Sequence, residues 1–184
     1  MFFEEHAKLL ADFARVSQAA GARADYVQGG GGNTSVKLPG ELMAIKASGF
    51  CLSNIRSDKA YAVLDGADLR NFYLTTEPSE LADVEKEGSA RAKADVRHID
   101  GLADLRPSVE AGFHSILKTF VVHTHSVYAN LAACSTACRP IAAQAFAGAN
   151  YTWGWVPYTD PGANLTFAIR DELRRVEKET GKAP

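Results

Sequence analysis

The distribution of apolar and polar side chains predicts three elements in the first part of the chain. Residues 2–19 carry apolar positions at helical spacing with charged residues between them, and Gly21 can end the pattern. Residues 36–38 and 42–46 are short, mainly apolar runs on either side of the Pro-Gly pair at 39–40, which is typical of a turn. We therefore predict an amphipathic opening helix followed by two strands.

The second part of the chain begins with a long charged segment and ends in alternating helix and strand patterns. Residues 57–105 are helical in parts and charged, which favours a solvated helix or an excursion over the surface. Beyond them we predict a helix at 108–118, a buried strand at 120–124, a helix across 128–134 and a last helix at 164–180. This order predicts an αβα passage.

Composition places the chain among ordinary globular proteins. Its 184 residues are 46% hydrophobic and 23% charged, so we predict one domain over residues 1–184. The net charge of -2 argues against a general attraction to nucleic acid or to an anionic membrane. The acidic N-terminus does not resemble a signal peptide, so we expect a cytoplasmic protein. The chain has an odd number of cysteines, and we predict that all three are free buried thiols: Cys51, Cys134 and Cys138.

The pattern His123-Thr124-His125 at the end of the predicted strand is the strongest chemical signal. Side chains two apart on a strand point the same way, so both imidazoles can reach one metal ion. A catalytic zinc site needs three protein ligands and an open position, so a third ligand is required. The alternative is that these histidines only cap the strand and form hydrogen bonds.

Glu110 is the candidate third ligand and acid–base residue. Pro107 and Ser108 suit the start of a helix, which would place Glu110 in its first turn. A carboxylate beside a cation can have its proton affinity tuned, as a general base requires. Alternatively, Glu110 only complements the helix dipole. His114 lies one helical turn further on, and we predict that it packs or supports Glu110.

A glycine run at 29–32 leads into Asn33-Thr34-Ser35 and can turn backbone N–H groups towards an anion such as phosphate. It is neither a nucleotide P-loop nor a dinucleotide fingerprint, since the residues that those motifs need do not follow. Residues 46–49, Lys-Ala-Ser-Gly, form another small, donor-rich turn. The alternative is two ordinary glycine-rich turns.

The ordered set of these motifs resembles the class II aldolase and adducin family. The motifs are Gly32 to Ser35, Lys46 to Gly49, Pro107 to Glu110 with His114, and His123 to His125. The resemblance runs from about residue 2 to about residue 170. It is strongest to the aldolase half of bifunctional rhamnulose-phosphate aldolase and short-chain dehydrogenase proteins.

The resemblance implies a fold, an assembly and a set of site residues. The fold would be α/β, a three-layer α/β/α domain with a largely antiparallel central sheet, assembled as a homotetramer. Zinc or another divalent ion would be held by His123 and His125 with Glu110, which would also be the acid–base residue. The phosphate of a substrate would lie at the following residues: Asn33, Ser48, Gly49 and Ser108.

Two positions depart from the family pattern. Val109 stands where a second serine is usual, which weakens the phosphate contact. The family's third metal histidine, in a His-Gly strand motif, has no counterpart, because no histidine follows His125. The ion would then be held by His123, His125 and Glu110 with waters, or the site would be incomplete.

The resemblance implies metal-dependent aldol cleavage of a ketose phosphate, in which the ion stabilises an enediolate. The alternatives are an epimerase, a dehydratase or a sugar-acid decarboxylase that uses the same chemistry, and a non-catalytic oligomeric module similar to adducin. The expected partners are a small sugar phosphate and further copies of the chain, without nucleic acid or membrane.

Overall fold

The computed structural model describes residues 1–182, and its centre is an antiparallel sheet. Within these residues five strands lie in the order β4-β3-β2-β1-β5, and every neighbouring pair is antiparallel. The strands are as follows: β1 Asn33–Leu38, β2 Leu42–Lys46, β3 Tyr61–Asp65, β4 Val96–Arg97 and β5 Phe120–His123. The predicted hairpin is confirmed, and its first strand begins three residues earlier than expected.

One face of the sheet packs against the opening helices. These are α1, Phe2–Glu5, and α2, Ala7–Gly21, which meet at His6 rather than forming one continuous helix. Leu10 and Phe13 of α2 are buried with Val36 and Val63 of the sheet, so the apolar stripe of the predicted amphipathic helix faces the core. A short 3₁₀ helix, Leu52–Asn54, closes this layer.

The other face is covered by helices from the middle and end of the chain. They are α3 Gly66–Thr75, α4 Val84–Ala94, α5 Ala111–Ile116 and α8 Ala163–Thr180. Met43, Ile45 and Leu64 of the sheet pack here with Leu69 of α3 and Phe167 of α8. Helices on both faces make a three-layer α/β/α arrangement, as predicted, because each face of the sheet carries apolar side chains that need cover.

Three predictions about local structure are wrong. Residues 57–105 are predicted to be helical in parts and solvated, but they contain the buried strand β3. The short apolar run of β3 has no helical period, so it forms a strand. Helix α5 begins at Ala111, so Glu110 is its N-cap residue and not part of its first turn. Strand β5 is an edge strand with Phe120 and Val122 exposed, rather than a buried strand, since it pairs only with β1 within residues 1–182.

The remaining helices form an exposed lobe. Helices α6, Val127–Ala133, and α7, Cys138–Ala145, contain no buried residue in the part of the chain that the structure describes. The three cysteines are free across residues 1–182, as predicted, but Cys134 is exposed and Cys51 and Cys138 are half-buried, so the prediction of burial is wrong. Among residues 1–182 no helix has the length and apolar character needed to cross a membrane.

Candidate functional site

Strand pairing brings the first site residues together. Asn33 at the start of β1 lies opposite His123 at the end of β5, although 90 positions separate them. Glu110, just before α5, reaches both residues: its Oε1 lies 3.3 Å from Nδ1 of His123, and its Oε2 accepts a 3.2 Å hydrogen bond from Nδ2 of Asn33. The structure therefore joins three predicted site residues in one cluster.

His114 belongs to the same cluster. It is fully buried in α5, and its Nδ1 lies 2.8 Å from Oγ of Ser35 on β1. Its Nε2 is buried without a hydrogen-bond partner among residues 1–182. Ligand atoms of Glu110, His114 and His123 all lie within 4.8 Å of one another. His114 thus places an unpartnered ring nitrogen, which could bind a metal ion, beside the predicted ligands. A histidine that only packed in the core would not need to be placed there.

His125 lies beside this cluster, past the end of β5. Its ring centroid is 4.8 Å from that of His123, with the two planes inclined at 60°. His125 is exposed, whereas His114 is buried, so the two imidazoles near His123 lie in different environments. The predicted pair of neighbouring imidazoles is present, but it results from the chain turning after β5 and not from two positions on one strand.

The last two glycines of the run, Gly31 and Gly32, pack close to His125 and His123. A Cβ added at Gly31 would lie 3.0 Å from Nδ1 of His125, and one at Gly32 would lie 2.8 Å from the carbonyl oxygen of His123. Gly32 also has a φ of 72°, which side chains rarely adopt. Close approach to His123 and His125 is therefore one physical reason for glycine here. Lys46 stabilises the glycine-rich loop, because its Nζ donates to the carbonyl of Gly30 at 3.4 Å and also to that of Phe50 at 2.9 Å.

Burial and neighbouring charges set the protonation states. Burial alone would raise the pKa of Glu110, but His123 and the Asn33 amide outweigh it and lower the pKa to about 2. Burial lowers the pKa of His114 to about 3. Burial and then the charge of His123 lower the pKa of His125. At neutral pH the cluster therefore presents an ionised carboxylate and neutral imidazoles at His114 and His125, the forms that bind cations.

The residues predicted to bind phosphate are divided between two places. A bridge between Ala47 and Pro107 aligns the turn at Ser48 and Gly49 with the segment before Glu110, and the Ser48 N–H donates to the carbonyl of Arg106. Ser48 and Gly49 are exposed there, Gly49 with a φ of 88°.

Asn33 and Ser108 face the carboxylate instead. The Asn33 amide is fully buried and already engaged, donating to Glu110 and accepting from the N–H of Thr34 at 2.8 Å. The Ser108 hydroxyl donates to Oε2 of Glu110 at 3.4 Å and accepts from the backbone N–H of Glu110 at 3.3 Å. In this arrangement Asn33 positions Glu110.

Arg106 is a candidate that the sequence motifs did not single out. Its Nη2 lies 3.3 Å from Oγ of Ser48, and within residues 1–182 it has no carboxylate within ion-pair distance. Its position two residues before Ser108 was the available signal. A guanidinium at this place adds a positive charge to the Ser48 turn, where an anion was predicted.

The residue types in the cluster fit a divalent cation. Imidazole nitrogen and carboxylate oxygen are the usual ligands of zinc, and a buried imidazole nitrogen without a partner is costly unless something binds it. Nε2 of His114 and Nδ1 of His123, which approaches Glu110 without hydrogen-bond alignment, are two such atoms among the described residues. Fold and cluster together define an α/β/α protein with a candidate His/Glu metal centre.

Comparisons with known proteins agree with this class. The model of the family described as class II aldolase and adducin N-terminal domain matches residues 11–182, so the chain belongs to that family. A search of curated proteins finds no match.

Solved structures with a related fold include the N-terminal class II aldolase domain of a conserved protein from Thermoplasma acidophilum. It is 21% identical, with a TM-score of 0.71, over 86% of this chain and 72% of that one. The putative aldolase/epimerase/decarboxylase YgbL from Klebsiella pneumoniae is 18% identical, with a TM-score of 0.48, over 71% of this chain and 50% of that one. An L-fuculose 1-phosphate aldolase is 22% identical, with a TM-score of 0.42, over 67% of this chain and 49% of that one. This chain spans about half of each of the last two.

Proposed function

We propose that this chain is a metal-dependent aldolase of the class II type, a carbon–carbon lyase that cleaves a ketose phosphate or a related sugar. The observation that carries the proposal is the cluster in which Glu110, His114 and His123 bring three ligand atoms within 4.8 Å of one another. Membership of the class II aldolase and adducin family supports the same reading.

We propose His123, His125 and Glu110 as ligands of zinc or another divalent ion, with His114 as a further donor. The orphan Nε2 of His114 supports its inclusion, since a bound cation would satisfy that buried atom. When bound, the ion would supply Lewis-acid stabilisation of negative charge on substrate oxygens, worth several kcal/mol.

Glu110 is the proposed acid–base residue. Its low pKa keeps the carboxylate ionised at neutral pH, which is the form of a proton acceptor, and also makes it a weak base while His123 and Asn33 contact it. Asn33 and Ser108 contact Oε2 and fix its direction, while Oε1 faces His123. The ring of Phe113, 5.6 Å from that of His123 between centroids, forms an apolar wall at the cluster.

The phosphate of the substrate is proposed to bind at Ser48, Gly49 and Ser108, with Asn33 bordering the site. Support comes from the Ala47–Pro107 bridge, which places the two segments side by side. Arg106 beside the Ser48 hydroxyl would add a charge-assisted hydrogen bond, and such bonds are about twice as strong as neutral ones.

Metal content and retro-aldol activity test the proposal together. Purified protein should bind about one zinc-type ion per chain, and His123→Ala should abolish that binding, because His123 is close to both Glu110 and His125. His98→Ala is the matched control, since His98 is exposed and its two ring nitrogens lie near Asp100 and Asp104, neither of which belongs to the cluster. The separate variants His114→Ala and His125→Ala show which of these two histidines binds the metal together with His123 and Glu110. Unchanged metal content in His123→Ala would refute the proposed centre.

Two alternatives use the same framework. An epimerase, dehydratase or sugar-acid decarboxylase would need the same cluster, and substrate screening with the metal-loaded protein separates these reactions from aldol cleavage. A non-catalytic adducin-like module would keep its assembly without metal. Retained metal binding together with turnover of any sugar would refute the second alternative.

We also propose that the protein acts in the cytoplasm as a homotetramer. The exposed lobe supports an interface between copies, because Tyr128 and Leu131 of α6 are 72% and 73% exposed beside the half-exposed Val127. Analytical ultracentrifugation of the purified chain measures its mass in solution. A monomer at micromolar concentration would contradict this assembly.

A further inference from the structure

A second concave site lies at the other end of β1 from the candidate metal centre. Side chains two apart on a strand share a face, so Lys37 projects on the same side of the sheet as Asn33 and Ser35. Near it, the turn between β1 and β2 and one face of α3 line an open cavity of about 470 Å³. Leu38, Leu42 and Leu74 supply apolar walls.

Two cations share this cavity without a carboxylate partner. Lys37 is half-buried, donates through Nζ to the carbonyl oxygen of His114, and has a pKa lowered to about 8, first by burial and then by the charge of Arg70. Across residues 1–182 no carboxylate oxygen lies within 4.0 Å of the charged nitrogen atoms of Lys37 or Arg70. Glu41 also lines the cavity, so the three charged side chains leave one positive charge in excess.

Other arginines on this side of the sheet are neutralised. Arg170, which is buried, pairs with Glu77 and Asp171, and Arg91 pairs with Asp68 and Asp95. Placing two like charges together in a partly desolvated cavity is unfavourable unless an anion offsets them. Lys37 and Arg70 therefore differ from Arg91 and Arg170, each of which has a carboxylate partner.

We propose that the cavity at Lys37 and Arg70 binds the phosphate group of a small organic ligand, at a site separate from the candidate metal centre. A guanidinium and an ammonium together match the charge of a phosphate monoester and offer donors to several of its oxygens. Asn71 adds a polar group to the lining, and the leucine walls would accommodate the organic part of the ligand. The carboxylate of Glu41 would face ligand hydroxyl groups.

Arg70 is the side chain to change, because Lys37 also holds the His114 carbonyl and its removal would disturb the candidate metal centre. No hydrogen bond or ion pair ties Arg70 to the rest of residues 1–182. Its loss should leave the fold intact. Arg70→Glu should place a carboxylate beside Lys37, so the unfolding midpoint without phosphate should not fall.

Titration with inorganic phosphate, followed by amide NMR of metal-free protein at constant ionic strength, tests the proposal. The amides of Lys37 and Asn71 should shift saturably in the natural protein. Arg70→Gln should weaken that binding about tenfold, as expected for one lost charged hydrogen bond, and Arg70→Glu should abolish it.

The amides of Ser48 and Gly49 report separately on the phosphate site proposed beside Glu110. Arg106→Gln is the matched control: it should alter the response at Ser48 and leave that at Asn71 unchanged. Equal affinity at Asn71 in the natural protein and in Arg70→Gln would overturn the inference, as would the lack of any saturable shift there. Either result leaves the metal proposal standing, because the two sites are read by different amides.

Discussion

Acid should destabilise the metal-free protein through His114. Burial lowers the pKa of this imidazole from 6.5 to about 3 in the folded chain. Unfolding exposes it to water and restores the higher proton affinity, so between these two pH values the unfolded chain binds one more proton. Stability therefore falls as the pH falls through this window, and the full contribution is present only above about pH 6.5.

The magnitude follows from the width of the window. Each pH unit below 6.5 costs about 1.4 kcal/mol from this one group, so roughly 2 kcal/mol is lost by about pH 5. A domain of ordinary stability has only about 5–15 kcal/mol in total. The lowered pKa of Glu110 adds its loss later, as the pH falls from 4.5 towards 2. His114 therefore contributes to the first part of the acid transition, together with His125, whose pKa is also lowered.

Urea unfolding of metal-free protein at a series of pH values measures this effect. His114→Asn keeps a polar atom near Ser35, where Nδ1 lies, but cannot titrate. The slope of its free energy of unfolding against pH should therefore be smaller, by the amount that corresponds to about one proton. The absolute stability of the variant will drop because of the smaller side chain, so the slope is the quantity compared. His98→Asn is the control at an exposed site and should retain the steep slope. An unchanged slope in His114→Asn would refute the reasoning.

Further predictions concern the helical layer. Arg170→Met should cost about 1–3 kcal/mol, because it strips the backbone carbonyls of Tyr73 and Thr76 of their donor. The exposed Glu77, in contrast, keeps Arg174 as a partner. Arg174→Met, at a half-exposed position, should cost less than about 1 kcal/mol; similar losses in urea unfolding would contradict the distinction. Gly88→Ala should destabilise by about 1–3 kcal/mol despite better helix propensity, since its Cβ would lie 2.5 Å from that of Ala163. Thermal unfolding measures this, and a stabilised variant would show that α4 and α8 can separate.

The resemblance identified the family, and the individual motifs predicted much of the candidate site. Glu110 and His123 are in contact, and His125 lies beside them, although it reaches this place through a turn after β5 and not through the strand spacing. The motif Gly32 to Ser35 could not show that the Asn33 amide donates to Glu110 and is therefore not free to bind phosphate. That depends on β1 pairing with β5, a contact between segments 90 positions apart.

Local patterns determined the hairpin of β1 and β2, the amphipathic helix α2 and the last helix α8, because periodicity and turn residues act over a few positions. Tertiary structure alone decided that β3 is a central strand, that β5 lies at an edge and that His114 carries an orphan nitrogen beside Glu110. The placement of Lys37 and Arg70 at one cavity is likewise decided by tertiary structure. The physical reason is that sequence patterns show which side chains seek cover, whereas packing between distant segments decides which polar groups meet and which remain unpaired.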